Sequence, residues 1–140
     1  ASTITQQLVK NLFLENEQTF TRKAQELLLA FDIETAFSKD EILEMYLNVV
    51  YYGAGFYGIG AAAEGYYGKA PAVLDLPEAS MLAGVPNAPS ALSPFTDFIA
   101  AKKRQAVVLD TMETQGLIDQ RTAEDAKMQP LRFRPSSVNR

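Results

Sequence analysis

Phe37-Ser38-Lys39-Asp40-Glu41-Ile42-Leu43-Glu44-Met45-Tyr46-Leu47-Asn48 carries the start signals of a helix. Ser38 is placed to cap it, Glu41 three residues on completes a capping box, and Phe37 can staple against Ile42. The stretch predicts a helix to about Tyr51, stopped at Gly53. Working outward, apolar residues keep recurring at helical spacing and no alternating strand appears. Towards the N-terminus, Ser2 or Thr3 can cap a helix to about Glu15, with Ile4, Leu8 and Leu12 as one stripe and Thr3, Gln7 and Lys10 as another. Thr19 or Thr21 can cap a second helix ending near Ala36. Towards the C-terminus, helices are expected over about 59–67 (closed by Gly68), from Asp75 to near Gly84, from about Thr96 to Gln115 (closed by Gly116), and from Asp119 to before Pro130. Pro86, Pro89 and Pro94 suggest an extended loop between the second and third of these. The fold class is all-α.

The 140 residues suit a single domain of about 100–150 residues. Hydrophobic residues make up 47% and charged residues 21%, a globular profile. There is no Cys and no His, which excludes thiol nucleophiles, Ser-His-Asp triads and thiolate or imidazole zinc sites within the chain. Chemistry must rest on carboxylates, Lys, Arg, Tyr, hydroxyls and amides. The net charge is −4, but residues 1–97 hold 5 basic and 12 acidic groups (−7) while 98–140 hold 8 and 5 (+3). That acidic body argues against nucleic acid as a partner. No apolar run approaches the roughly 18 residues of a membrane span, and no signal peptide is visible. The chain begins at Ala1 without Met and reads as a piece of a longer protein.

Two segments hold candidate chemistry. Ser2–Asn11 offers a hydroxyl, an amide and an ammonium in successive turns, a set suited to a sugar bearing phosphate; the plainer alternative is a solvated helix face. Arg22 and Lys23 lie in a first helical turn, where the macrodipole disfavours cations unless an anion binds there. Glu26, one turn after Arg22 and on the face of Leu29, Ala30 and Ile33, is a carboxylate beside apolar neighbours, fit for acid–base or electrostatic work; the alternative is an exposed ion pair with Arg22. Gly53-Ala54-Gly55-Phe56-Tyr57-Gly58 matches G-x-G-x-x-G, but a capped helix precedes it where a dinucleotide fold needs a strand, so it reads as a close-packed glycine turn. Glu44, Tyr46 and Asn48 read as structural support, and Lys102-Lys103-Arg104 as a solvated face with contact to anionic lipid as the lesser alternative.

Ser2–Asn11, Arg22-Lys23-x-x-Glu26, Lys39–Asn48 and Glu64–Lys69 occur in fixed order and, taken with Leu76–Pro94, resemble four successive motifs of the peptidoglycan glycosyltransferase (transglycosylase) domain, glycosyltransferase family 51. That domain occurs in bacterial class A penicillin-binding proteins and in monofunctional transglycosylases. The resemblance covers about residues 1–128, leaving 129–140 as a tail or the start of a linker. It implies a lysozyme-like helical lobe with a smaller membrane-associated jaw. The implied reaction is cell-wall glycan polymerisation from lipid II: the acceptor 4-hydroxyl attacks the anomeric carbon of the growing chain, undecaprenyl pyrophosphate leaves, and configuration inverts to a β-1,4 link. Carried over, Lys10 would hold donor phosphate or sugar, with Thr3, Gln7 and Asn11 lining the same cleft. Arg22 and Lys23 would neutralise pyrophosphate, and Glu26 would be the second catalytic glutamate. Some members use a divalent cation (Mg or Mn) at the pyrophosphate; no carboxylate cage is visible here, so such an ion would be shared with substrate oxygens. Implied partners are lipid II, the growing glycan, the membrane surface and a downstream transpeptidase domain. The implied location is the outer face of the plasma membrane, with an anchor outside this chain.

The sequence departs from the family in three places. The first motif, a Glu-Asp pair followed by Phe, His and Gly, is absent, and with it the presumed general base. The domain is therefore expected to be truncated at its N-terminus and the isolated 140 residues to be inactive as a polymerase. Gln18 stands where many members have Arg, and Ser93-Pro94 where Asn-Pro is usual. Two alternatives remain: a noncatalytic helical module binding a lipid-linked cell-wall precursor, and a lysozyme-like glycan-cleaving enzyme, though the latter has no evident need of Arg22 and Lys23.

Overall fold

The computed structural model describes residues 4–12 and 20–134. Among them there are eight α-helices and no strand beyond one isolated bridge, so the all-α expectation holds. The chain divides into two compact units, residues 1–50 and 51–140.

The first unit contains α1 (Ile4–Leu12), α2 (Phe20–Ala36) and α3 (Lys39–Val49). The capping box forms as expected: Ser38 Oγ accepts from the Glu41 amide at 3.2 Å, and the Ser38 amide donates to Glu41 Oε1 at 2.9 Å. Helix α1 packs against both α2 and α3. Its buried face is Thr5, Leu8 and Val9, at i, i+3 and i+4, whereas Ile4 is left 42% exposed. The expected Ile4-Leu8 stripe is thus rotated, because Val9 offers apolar surface that a strict i+4 count passes over. Helix α2 buries Glu26, Ala30 and Ile33, and α3 buries Ile42 and Tyr46.

The second unit contains α4 (Ile59–Tyr67), α5 (Leu76–Gly84), α6 (Pro89–Leu92), α7 (Phe98–Thr114) and α8 (Gln120–Met128). Asp75, Asp97 and Asp119 cap α5, α7 and α8, each carboxylate accepting an amide of the first turn at 2.7–3.0 Å. Residues 86–94, expected to be extended, instead hold part of a 3-10 turn and α6; proline at a first helical position pre-sets φ and loses no hydrogen bond there. Ser93 keeps the turn chemistry of the missing Asn, its Oγ accepting from the Phe95 amide at 3.3 Å. In the Lys102–Arg104 run Lys103 is exposed, as expected of a solvated face, but Lys102 and Arg104 are half-buried. Lys102 Nζ donates to Gln105 Oε1 (2.7 Å) and to the Lys127 carbonyl (2.8 Å), while buried Gln105 donates to the Pro77 carbonyl (2.9 Å). These bonds tie α5, α7 and α8 together, and desolvation lowers the pKa of the half-buried ammonium. Past α8 the last described residues contact the second unit: Phe133 stacks on Tyr67 at 5.3 Å, and the Arg134 amide donates to the Tyr66 carbonyl at 2.7 Å.

Residues 51–58 form a tight turn. Tyr51 and Tyr57 bridge in antiparallel fashion, and the Tyr52 amide donates to the Phe56 carbonyl at 2.8 Å. Gly53 has φ +77°, and a Cβ there would lie 2.6 Å from the Pro89 carbonyl oxygen. The Tyr66 hydroxyl donates to the Tyr52 carbonyl at 2.7 Å and lies 2.6 Å from Ser93 Oγ, in a site where burial pushes the phenol up to about 12. A close-packed glycine turn is the observed outcome, as expected.

Glu78 is 6% exposed and bound by Lys69 Nζ and by the Asp75 amide, each at 2.9 Å to Oε1. Burial by itself would raise the Glu78 pKa, but the hydrogen bonds from Lys69 and Asp75 and the charge of Lys69 outweigh it, and the net shift is downward. Folding therefore gains stability from this carboxylate above its unfolded pKa and loses it as pH falls through the lower folded value. Lys69→Met should cost about 1–3 kcal/mol at neutral pH by leaving the buried carboxylate short of its charge partner. In urea titrations across pH, the gap between the two proteins should shrink as Glu78 protonates.

Candidate functional site

Helices α1, α2 and α3 of the first unit carry all the candidate residues that the structure describes. Thr3, and Gln18 where an Arg is usual, lie outside the described residues. Lys10 is exposed in the last turn of α1, the end at which the helix dipole favours a cation. Asn11 is exposed beside it, and its Nδ2 donates to the Gln7 carbonyl at 2.7 Å, satisfying a C-terminal acceptor of the helix. Gln7 is half-buried, and its Oε1 accepts from the Tyr46 hydroxyl of α3 at 3.1 Å. With the oxygen so occupied, Gln7 Nε2 remains as the donor to offer. Burial raises the Tyr46 pKa, so the phenol stays protonated and able to donate.

On α2, Arg22 is half-buried in a first turn that contains no acidic residue. Lys23 is exposed, with Nζ 4.0 Å from Glu26 Oε2. Glu26 is 8% exposed and shares its face with Ala30 and Ile33, as the spacing predicts, while Leu29 is 36% exposed. The ion pair seen is thus with Lys23 at i+3, at the outer limit of contact, and it leaves the carboxylate only loosely held. Most of the enclosure of Glu26 comes from packing.

The structure therefore joins Gln7 and Asn11 of α1 and Tyr46 of α3 in one hydrogen-bonded set and leaves Lys23 and Glu26 of α2 as a long ion pair, with α1 packed against both other helices. Lys10 and Glu26 do not touch each other. Three of the five basic residues in the first 97 are Lys10, Arg22 and Lys23, so positive charge in this acidic region is concentrated on these two helices. Such a set can compensate an anion, bond sugar hydroxyls and present a desolvated carboxylate. An open, largely apolar groove of about 520 Å³ in the same unit is lined by Ile4, Thr5, Phe37, Ile42 and Leu43 with Glu34 and Lys39, and includes none of the candidate residues.

Tyr46 is the residue whose role the sequence underspecifies. Its spacing with Ile42 and Val50 marks the buried face, but only the fold brings its hydroxyl to Gln7. Glu44 and Asn48, grouped with it by polarity, are exposed. Among the described residues no three His, Cys, Asp or Glu converge as a metal site.

A family model described as Transglycosylase matches residues 1–113. The chain is similar to penicillin-binding protein 2D of Bacillus subtilis (46% identity over 135 residues, 96% of this chain and 20% of that protein). It is also similar to penicillin-binding protein 1A of Neisseria flavescens (47% over 133 residues, 95% of this chain and 17% of that protein). It thus spans about a fifth of the length of these relatives. The crystal structure of penicillin-binding protein 1A from Haemophilus influenzae superposes with a TM-score of 0.66 at 26% identity, covering 97% of this chain and 17% of that one.

Proposed function

Because the chain belongs to the transglycosylase family, we propose that it is the donor-holding, Glu26-bearing part of a peptidoglycan glycosyltransferase that polymerises lipid II. With that membership goes the all-α, lysozyme-like fold. The observation that carries the reading is Glu26, packed to 8% exposure beside Lys23 and one turn after Arg22, on a helix that packs against the one bearing Lys10. In the reaction the acceptor 4-hydroxyl displaces a lipid-linked diphosphate at the anomeric carbon with inversion. The barrier falls most where charge develops, on the departing diphosphate, and fixed cations in place before reaction stabilise that charge without reorganising. Lys10 and Arg22 take that role with Lys23 beside them, and Glu26 acts at the reacting sugar. Thr3, Gln7 and Asn11 hold sugar hydroxyls, Gln7 through the Nε2 that Tyr46 leaves free. A divalent cation, where one takes part, would be shared with substrate oxygens and would add charge compensation for the diphosphate.

The growing glycan and the membrane surface are the partners of this reading, and the outer face of the plasma membrane is its place. A transpeptidase domain is a further partner in a longer protein, as the names of the relatives suggest. No helix among the described residues is long and apolar enough to cross a membrane. The acidic first motif is absent from this sequence, so the chain alone should bind donor without turning it over.

Binding of a lipid-linked disaccharide diphosphate to the native chain and to Lys10→Ala tests the reading. We expect affinity to fall about tenfold or more, the scale of one charge-assisted contact. Equal affinity would remove the phosphate role of Lys10, and polymer formation by the chain alone would overturn the need for the first motif.

A further inference from the structure

The turn at residues 51–58 holds an aromatic ring open to solvent in a way that packing does not require. Tyr57 is 66% exposed, yet its ring lies 4.4 Å from that of Tyr51 with the planes 32° apart, so one face is supported and the other is free. Tyr51 is itself fixed, its hydroxyl accepting from the Gly55 amide at 2.9 Å. Below the pair the turn is rooted in the second unit. Gly53 fits against Pro89 and Ser93, and Phe56 lies over Gly65 and edge-on to Tyr66 at 5.0 Å. The turn also keeps Ala54 at φ 54°, a conformation that costs an L-residue about 1 kcal/mol.

The surroundings narrow what could lie on that ring. Residues 45–63 carry no charge, so recognition there is by shape and apolar contact with a few hydroxyls. At Gly55 and Gly60 an added Cβ would meet nothing within 4 Å, which leaves open floor in the same segment. A lipid surface would draw on nearby Lys or Arg, and none is present in this segment. A protein partner would need on the order of 1,000 Å² of interface, far more than one ring among glycines supplies. A pyranose fits: its axial C–H face is flat, apolar and about the size of a phenol ring, and its rim is polar.

We propose that Tyr57, backed by Tyr51, is a stacking platform for one sugar ring of a β-1,4-linked N-acetylhexosamine chain. This deepens the glycosyltransferase reading and rests on it for the choice of glycan. Because the ring is held before any ligand arrives, binding loses little side-chain freedom.

The chain contains no Trp, so Tyr57→Trp introduces a single indole at the platform itself. With tetra-N-acetylchitotetraose as probe, its emission should shift and saturate. On otherwise native chain, ligand-detected NMR should show Tyr57→Ala weakening chitotetraose binding about tenfold and Tyr57→Phe by less than about threefold, since stacking uses the ring face and not the hydroxyl. Emission at residue 57 reads the platform, whereas the Lys10→Ala loss of disaccharide diphosphate affinity reads the diphosphate site. Far-UV dichroism checks that each exposed-site variant is folded. The platform is overturned if native chain fails to bind millimolar chitotetraose, if the Tyr57→Trp emission stays fixed while binding proceeds, or if phosphatidylcholine vesicles shift it equally. None of those results would touch the diphosphate reading.

Discussion

Glu26→Gln, placed in a polypeptide that also carries the family's acidic first motif, is expected to lower lipid II polymerisation by about two to three orders of magnitude, the range seen when one electrostatic stabiliser is removed from a closed site. The substitution is nearly isosteric, so the packing of Glu26 with Ala30 and Ile33 is kept and only charge is lost. The remaining partner, Lys23, is 4.0 Å away and exposed, so its release to water costs little and stability should barely change. Single-turnover rates at saturating lipid II measure the effect, with donor affinity as the companion reading. A large loss of rate with donor binding intact places Glu26 at the reacting sugar. A rate within about threefold of native would remove it from the catalytic set.

Gly53→Ala is the second large effect. At φ +77° an alanine is strained by about 1 kcal/mol, and its Cβ would sit 2.6 Å from the Pro89 carbonyl oxygen and 2.8 Å from Ser93 Cβ. The first of these is backbone and the second belongs to a residue with no exposed surface, so neither yields easily. Strain and overpacking together should destabilise the chain by roughly 2–4 kcal/mol. Gly55→Ala is the matched comparison, because φ is +86° but the space around it is open, so only the conformational part remains. Urea midpoints for the two variants should differ clearly, and equal midpoints would mean that the turn gives way at its base.

Local signals were enough for most of the helices. Ser38 and Glu41, Asp75 and Glu78, and the glycines at 68 and 116 mark ends that the backbone respects, because caps and left-handed residues act within one turn of themselves. The loop at 86–94 misled, since three prolines argue against long helices but not against one short turn begun by Pro89. Lys102 and Phe133 misled for another reason. Charge and position in the chain suggest solvent for both, and only the folded neighbours, the open end of α8 and the rings of Tyr67, Phe95 and Phe98, give them partners that half-bury them. In the candidate site, the seating of Glu26 was legible from its spacing with Ala30 and Ile33. The pairing of Gln7 with Tyr46 was not, because 39 residues separate them and no local rule spans that distance.

The docked stretch after α8 bears on where this polypeptide can safely be cut. The matched family region ends at residue 113, and helical periodicity alone would suggest trimming at 128. A protein shortened to either point loses Phe133 and bares Tyr67 and Phe95 to water, inviting self-association during recombinant production. Expression boundaries drawn past Arg134 retain that aromatic cover together with the Arg134–Glu64 pairing.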